Sequence, residues 1–169
     1  MLIYELEILF STDTDFSFLD CFVEVSNQEL KKISSLKTPN KVLAIFKIPL
    51  QKKINSSGLT VVLDTINDPG NLGTIIRLCD WFGIDQLLCS KETVDCYNIK
   101  VVQASMGSLT RVPISYLNLT EYLKTVSVPV FIADMDGDNI YKTTLPPSAV
   151  LVMGNEANGA SDAIKQLVN

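Results

Sequence analysis

From about residue 56 onward, short apolar runs alternate with segments whose apolar residues recur at helical spacing. Residues 59–64 form a β-branched apolar run, which is typical of a buried strand. In residues 72–83 the apolar positions share one helical face, and Arg77 points away from it. Further strands are predicted at 86–89, 111–114, 128–133 and 149–153, and helices at 99–105, 121–126 and from Ser161 onward. This alternation predicts an α/β fold with a mostly parallel sheet covered by helices on both faces.

The first fifty residues follow a different pattern. A helix is predicted at 30–33 and a strand at 42–48, after a Thr-Pro-Asn turn, and residues 49–58 are polar and turn-prone. We therefore predict a small domain at 1–50, a linker at 51–58 and a larger α/β domain at 59–169.

The chain contains no histidine, so Ser-His-Asp hydrolases and histidine-ligated metalloenzymes are excluded. Its four cysteines have neither metal-knuckle nor redox-pair spacing, which predicts no metal site and a reducing, cytoplasmic location. No apolar stretch is long enough to cross a bilayer.

The net charge of −5 hides a sharp segregation of charge along the chain. Residues 1–30 contain seven acids and no Lys or Arg, whereas residues 31–53 contain seven lysines and no acid. Such a segment is either an electrostatic footprint for a phosphate backbone or an ordinary solvated face. The candidate RNA-binding lysines are Lys31, Lys32, Lys37 and Lys41.

The densest motif is the glycine-containing loop at residues 67–77, where the first strand of the larger domain leads into a helix. Asn71 is well placed to cap that helix. A helix start offers N–H groups and a positive dipole end to an anion, although a purely structural turn fits equally well. The loop has neither the Gly-Lys-Ser/Thr of a phosphate-binding loop nor the GxGxxG of a dinucleotide site.

Two ordered motifs carry a family resemblance. VVLDTINDPGNLGTIIRLCDWFGI, with an Asn six positions before a helical Arg, is similar to the first signature of the SpoU (TrmH-type) RNA ribose 2′-O-methyltransferases. VVQASMGSLTRVPI resembles its continuation, and LVMGNEANG resembles the second signature, a strand ending in Gly-x-Glu-x-x-Gly. More weakly, residues 36–44 are similar to the end of the small RNA-binding domain that precedes the catalytic domain in many members.

The resemblance implies a trefoil-knot (SPOUT) fold and S-adenosylmethionine as the methyl donor. It implies that Asn71, Arg77 and Glu156 are catalytic, with Arg77 touching the RNA. We expect Glu156 to hold the loop, Asn71 or Arg77 in place rather than to transfer a proton. The alternative for Arg77 is a solvated residue paired with Asp80. The cofactor-binding residues implied are Leu151, Met153, Gly154, Asn155, Glu156 and, with Asp134 beside it, Ala133.

The resemblance also sets expectations for the whole protein. The substrate expected is structured RNA, ribosomal more than transfer RNA, and the expected assembly is a homodimer. We expect Trp81 to pack in a dimer interface or in the core; the alternative is that it stacks on a base. A third signature, Ser-Leu-Asn opening a helix, does not occur in the 169 residues, so we expect the methyltransferase domain to be incomplete at its C-terminal end and the RNA-binding domain to be partial. The rival functions are a non-catalytic RNA-binding protein, a nucleotide-dependent oxidoreductase and a small-molecule methyltransferase.

Overall fold

A computed structural model describes residues 4–50, 53–54, 58–144 and 146–168. The chain divides into two compact units, with the division after Leu50. Most of the linker predicted at 51–58 lies outside the described residues.

The smaller unit is a three-stranded sheet with one helix. Its elements are β1 (Leu6–Ser11), β2 (Phe22–Glu24), α1 (Asn27–Ile33) and β3 (Val42–Phe46), with a 3-10 turn at Thr14–Phe16. β1 lies in the centre, parallel to β2 and antiparallel to β3. Helix α1 begins earlier than residue 30 because Ser26 and Glu29 form a reciprocal capping box, and the buried Leu30 anchors the helix.

The larger unit contains five strands and four helices in the described residues. The strands are β4 (Leu59–Leu63), β5 (Gln86–Cys89), β6 (Ile114–Tyr116), β7 (Val130–Ala133) and β8 (Ala149–Met153). The helices are α2 (Pro69–Trp81), α3 (Ile99–Ser105), α4 (Leu119–Thr125) and α5 (Asp162–Lys165), with 3-10 turns at Ser108–Thr110 and Ile140–Lys142.

All pairings in this sheet are parallel, and the strand order is β6-β5-β4-β8-β7. One face packs against α2 and α3 through a core that includes Leu63, Leu72 and Val101. The opposite face packs against α4 and α5 through Val152, Leu123 and their neighbours. The predicted α/β fold with a mostly parallel sheet is thus confirmed, and both sheet faces carry helices.

Helices α2 and α3 approach each other very closely at Gly73. A Cβ atom on Gly73 would lie 2.4 Å from the Cβ of Ala104, so any side chain there would push the two helices apart. The absence of a side chain at Gly73 therefore allows α2 to pack directly against the backbone of α3.

Three predicted boundaries are wrong for local reasons. The cap of α2 is Asp68 rather than Asn71, because the Asp68 Oδ1 accepts the backbone N–H of Asn71 at 2.8 Å. The strand predicted at 111–114 lies at Ile114–Tyr116, since the preceding residues turn in a 3-10 segment. Strand β7 begins after Pro129, which has no N–H to donate to a strand ladder.

Within the described part of the chain, no helix has both the length and the apolar character needed to cross a membrane.

Candidate active site

The site forms where β4 and β8 end side by side. β4 is followed by connections through α2 and α3 toward β5 and β6, whereas β7 and β8 lie on its other side. The strand order therefore reverses between β4 and β8. In parallel α/β sheets, the crevice beyond the carboxyl ends of the strands at such a reversal is where ligands bind.

The loop after β8 folds back tightly on itself. Asn155 and Gly159 exchange two backbone hydrogen bonds, of 2.9 and 2.8 Å, so residues 155–159 close a small loop. Gly154 makes this possible, because a Cβ there would lie 2.0 Å from both the Ala160 nitrogen and the Gly159 carbonyl carbon. At its far end, Gly159 adopts a left-handed φ of 67°.

The loop after β4 is held by a buried carboxylate. Asp64 is buried at the strand end, and its Oδ2 accepts the backbone N–H of Ser161 at 2.7 Å. The Asn155 side-chain amide donates to the carbonyl oxygen of Thr65 at 2.9 Å, and Thr65 has a left-handed φ of 62°. These two cross-links fix the loops after β4 and β8 against each other.

Hydroxyl groups from the loop after β5 support the same segment from the opposite side. The backbone N–H of Thr65 donates to Ser90 Oγ at 3.1 Å, and the backbone N–H of Ile66 donates to Thr93 Oγ1 at 3.3 Å. The strained turn at Thr65 is therefore supported by both neighbouring strands' loops, as expected for a backbone conformation that costs free energy by itself.

The start of α2 and the loop after β8 meet through two predicted site residues. The side-chain amide of Asn71 donates a hydrogen bond to Glu156 Oε1 at 2.7 Å, although the two residues are 85 positions apart in the chain. Asn71 is one of the partners predicted for Glu156 from the sequence, and this contact joins the two residues. Glu156 is exposed and accepts the amide hydrogen bond, which suits an organising role for its carboxylate.

Arg77 follows Asn71 by six residues along α2, which is about 1.7 turns, and it is exposed to solvent. The alternative in which Arg77 pairs with Asp80 is wrong, because Asp80 forms a bidentate ion pair with Arg111, at 2.6 Å from Nη2 to Oδ2. The Arg111 guanidinium lowers the pKa of Asp80 below its ordinary value. Arg77 has no ion pair among the described residues, so its five donors face solvent.

The edge strand β7 contributes Ala133 and Asp134 to the same end of the sheet. Ala133 pairs in register with Met153, the residue before Gly154. Asp134 forms an ion pair of 2.7 Å with Lys165 on α5, and this pair lowers the pKa of Asp134 and raises the pKa of Lys165. The end of β7 is thereby fixed to the element that follows the loop of β8.

The lysine-rich segment, in the smaller unit, is more neutralised than its sequence suggests. Antiparallel pairing of β1 with β3 brings the acidic stretch beside it, so that Lys41 pairs with Asp13 at 3.3 Å and Lys47 pairs with Glu5 at 2.7 Å. The remaining predicted RNA-binding lysines are exposed and form no ion pair with described residues; they are Lys31, Lys32 and Lys37.

The structure thus joins Asn71, Glu156, Gly154, Asn155, Met153 and Ala133 at one edge, with Leu151 one pleat behind. Four residues that support the site are not predicted from the sequence: Asp64, Ser90, Thr93 and Lys165. The role of Asp64 could have been predicted in part, because a carboxylate directly after a buried strand needs hydrogen-bond partners. The role of the Ser90 and Thr93 hydroxyl groups could not have been predicted from the sequence, because it depends on the order of the strands in the sheet.

Fold and site together define a class: a parallel α/β sheet in which a Gly-x-Glu loop and a glycine turn capped by Asp68 converge where the strand order reverses. Residues 58–169 match the model of the SpoU rRNA Methylase family. The chain therefore belongs to this family.

Two curated relatives illustrate the relationship. The chain is 29% identical over 150 residues to the 23S rRNA (guanosine(2553)-2′-O)-methyltransferase RlmP of Bacillus subtilis, covering 86% of this chain and 60% of that protein. It is 35% identical over 100 residues to the human mitochondrial rRNA methyltransferase 3, covering 54% of this chain and 24% of that protein. The chain spans about a quarter to three fifths of the length of the curated relatives it matches first.

Solved structures give the same result for the fold. A protein of Porphyromonas gingivalis assigned to the TrmH family of RNA methyltransferases superposes with a TM-score of 0.89 at 34% identity, covering 99% of this chain and 72% of that one. The AdoMet-bound rRNA methyltransferase of Sinorhizobium meliloti superposes with a TM-score of 0.84 at 26% identity, covering 98% and 69%.

Proposed function

We propose that the protein transfers a methyl group from S-adenosylmethionine to a ribose 2′-hydroxyl in structured RNA, with ribosomal RNA as the substrate and without a metal ion. The observation that carries this proposal is the 2.7 Å contact between Asn71 and Glu156, which joins the two motifs on which the family resemblance rests. Curated relatives are named as rRNA methyltransferases, and one structural relative contains AdoMet, which supports the substrate and cofactor.

The residues at the site match the apolar and the cationic parts of this cofactor. On the face of the sheet that packs against α2 and α3, four side chains of β7 and β8 remain accessible to solvent. Leu151, Met153 and Phe131 are half-buried, and Ala133 is exposed. These four side chains form an apolar strip that ends at Gly154. Backbone groups and the carboxylates of Glu156 and Asp134 lie at that end of the strip. An adenine ring and a thioether chain need apolar contact, and a cationic sulfonium is favoured by nearby carboxylates. When bound, the cofactor supplies an electrophilic methyl group.

The protein's own contribution is alignment and charge stabilisation. Gly154 and Asn155 would hold the cofactor through the closed loop, and the Asn71–Glu156 hydrogen bond fixes the start of α2 beside that loop. On the same helix, Arg77 presents a guanidinium that has no ion-pair partner in the described part of the chain. Such a group suits contact with an RNA phosphate or with the negative charge that develops on the attacking oxygen. A guanidinium does not normally accept a proton, so we assign Arg77 no role as a base.

We further propose that residues 1–50 are a partial RNA-binding domain. Three exposed lysines without ion-pair partners in the described chain support phosphate contact: Lys31, Lys32 and Lys37. Lys41 contributes less, because Asp13 already neutralises it.

We also propose that the protein is a cytoplasmic homodimer. Trp81 is 84% exposed at the end of α2, with Leu78 and Phe82 exposed beside it, so the expectation that Trp81 packs in the core of its own chain is wrong. Exposed aromatic and aliphatic side chains on one helix favour burial against a second chain. Sedimentation of the wild-type protein and Trp81→Ala would test this: a wild type that sediments as a monomer contradicts the dimer.

Methyl transfer can be measured directly. The complete protein is incubated with cofactor labelled on the methyl group and with total RNA, and RNA-bound label is counted for the wild type, Arg77→Ala and the control Lys124→Ala. Lys124 is an exposed cation on α4, on the opposite face of the sheet. We expect labelling by the wild type and the control and a large loss with Arg77→Ala. RNA binding without cofactor binding would instead identify a non-catalytic RNA-binding protein.

A further inference from the structure

The segment after β7 exposes an unusual amount of apolar surface at the edge of the sheet where the candidate site lies. It leaves the sheet at Ala133, whose register partner Met153 directly precedes Gly154. Within the next eight residues, Met135 is 98% exposed and Tyr141 is 95% exposed, with Ile140 also exposed. Single exposed apolar residues are common on protein surfaces, but three on one short loop beside a site indicate a contact.

This segment comprises residues 134–142, and its first residue is anchored. The Asp134–Lys165 ion pair of 2.7 Å fixes the first residue, and Asp134 Oδ1 also accepts the backbone N–H of Met135 at 2.7 Å. Lys165 also reaches the loop of β8, because a Cβ on Gly159 would lie only 3.9 Å from its Nζ. The position of the segment is therefore coupled to the loop that contains Gly154.

The tip is ordered by local hydrogen bonds. The Asn139 side chain accepts the backbone N–H of Tyr141 at 2.9 Å, and its backbone carbonyl accepts the N–H of Lys142 at 2.9 Å. This cap holds a short 3-10 turn with Tyr141 at its centre. The ring is thus presented on a turn with a defined backbone, which reduces the entropy lost when it makes a contact.

The chemistry of the segment favours a nucleobase over a phosphate. It contains the carboxylates of Asp136 and Asp138, which repel a phosphate backbone, and Lys142 as its one cation in residues 134–142. An aromatic ring and a thioether instead offer surface to the face of an unpaired base. RNA sequences are recognised mainly in single-stranded loops, where bases stack on aromatic side chains.

We propose that residues 134–142 are a substrate-recognition loop in which Tyr141 stacks on an unpaired base of the RNA while the Asp134–Lys165 ion pair fixes the root of the loop. This inference rests on the proposed function, since it makes RNA the occupant. Stacking on one base is lost when the ring is removed, which corresponds to a roughly 5- to 150-fold weaker binding.

The test compares Tyr141→Ala with Tyr141→Phe, which keeps the ring, and with Met106→Ala, which removes another exposed apolar side chain at the residue directly after α3. Dissociation constants are measured in the complete protein by fluorescence anisotropy for a short single-stranded RNA of mixed sequence and for a blunt RNA duplex of equal length. We expect Tyr141→Ala to weaken binding of the single strand by about tenfold, with the duplex unchanged. Tyr141→Phe and Met106→Ala should bind both RNAs like the wild type.

Equal single-strand affinity of Tyr141→Ala and the wild type overturns the inference. So does an equal loss for single strand and duplex, or a change in sedimentation, which would make the loop a protein interface. Cofactor affinity, measured by calorimetry in the same variants, should not change. A wild type that shows this RNA pattern but transfers no methyl group would refute the proposed activity while leaving the recognition loop intact.

Discussion

Replacing Gly154 by alanine tests the closed loop after β8 most directly. The φ of Gly154 is not positive, so alanine meets no backbone strain there and the effect is purely steric. The new Cβ would lie 2.0 Å from two backbone atoms of residues 159 and 160, whereas ordinary contact begins at 3.4 Å. The loop must therefore move by 3.4 − 2.0 = 1.4 Å.

This displacement is too large for the two hydrogen bonds that close residues 155–159. Each contributes about 1 kcal/mol, and overpacking adds about 1–3 kcal/mol, so we expect a loss of roughly 3 kcal/mol or more in the free energy of unfolding. Urea denaturation measures that loss, and calorimetry should show cofactor affinity reduced by at least about tenfold, that is by about 1.4 kcal/mol. Gly107→Ala is the matched control, because it has a left-handed φ of 85° and open space around it.

Gly107→Ala should cost about 1–2 kcal/mol of stability through backbone strain without changing cofactor affinity. If Gly154→Ala is as stable as the wild type within about 0.5 kcal/mol and binds the cofactor equally well, the loop does not depend on Gly154 and the reasoning fails.

Three further outcomes are expected. Arg77→Ala should keep its thermal midpoint and cofactor affinity, since the residue is exposed, yet lose about 10²–10³-fold in methyl-transfer rate; a rate within twofold of wild type would exclude a role for Arg77. Asp64→Asn weakens the bond to the Ser161 N–H, so urea denaturation should show a loss of about 1–2 kcal/mol, and an unchanged midpoint would contradict it. Arg111 lowers the pKa of Asp80, so the ion pair stabilises the protein above the carboxyl's ordinary pKa of 3.8 and is lost as pH falls through the lowered value. Acid denaturation of Asp80→Asn should therefore depend less on pH in that range; curves of equal slope would refute it.

The sequence predicts the larger unit better than the smaller one. β4, β5 and β8 are largely apolar because both faces of their sheet are covered, so the sequence predicts them without any knowledge of a partner strand. β1 alternates charged and apolar residues only in part. Its pairing with a strand more than thirty positions away is a tertiary contact, which the local pattern does not predict. Pattern alone therefore predicts β3 but not β1 and β2.

The same difference applies to the site. Motif spacing indicates Asn71 and Glu156, and their direct contact depends on β8 lying beside β4, which the order of elements in the chain does not determine. Likewise, the bond between Asp80 and Arg111 competes with the nearer Arg77, and local spacing favours the wrong partner. Partner choice across a fold is set by packing, which a one-dimensional pattern does not contain.

The antiparallel β1–β3 pairing has a consequence for how tightly the smaller unit can hold a nucleic acid. Of its five lysines, Lys41 and Lys47 already have carboxylate partners, and the other three have none among the residues that the structure describes. Each phosphate neutralised contributes about 0.7–0.9 to the slope of log affinity against log salt. The slope of log affinity against log salt for this unit should therefore be roughly 2–3 rather than 4. Such binding is weak and readily reversible, so the choice of nucleotide depends on contacts elsewhere.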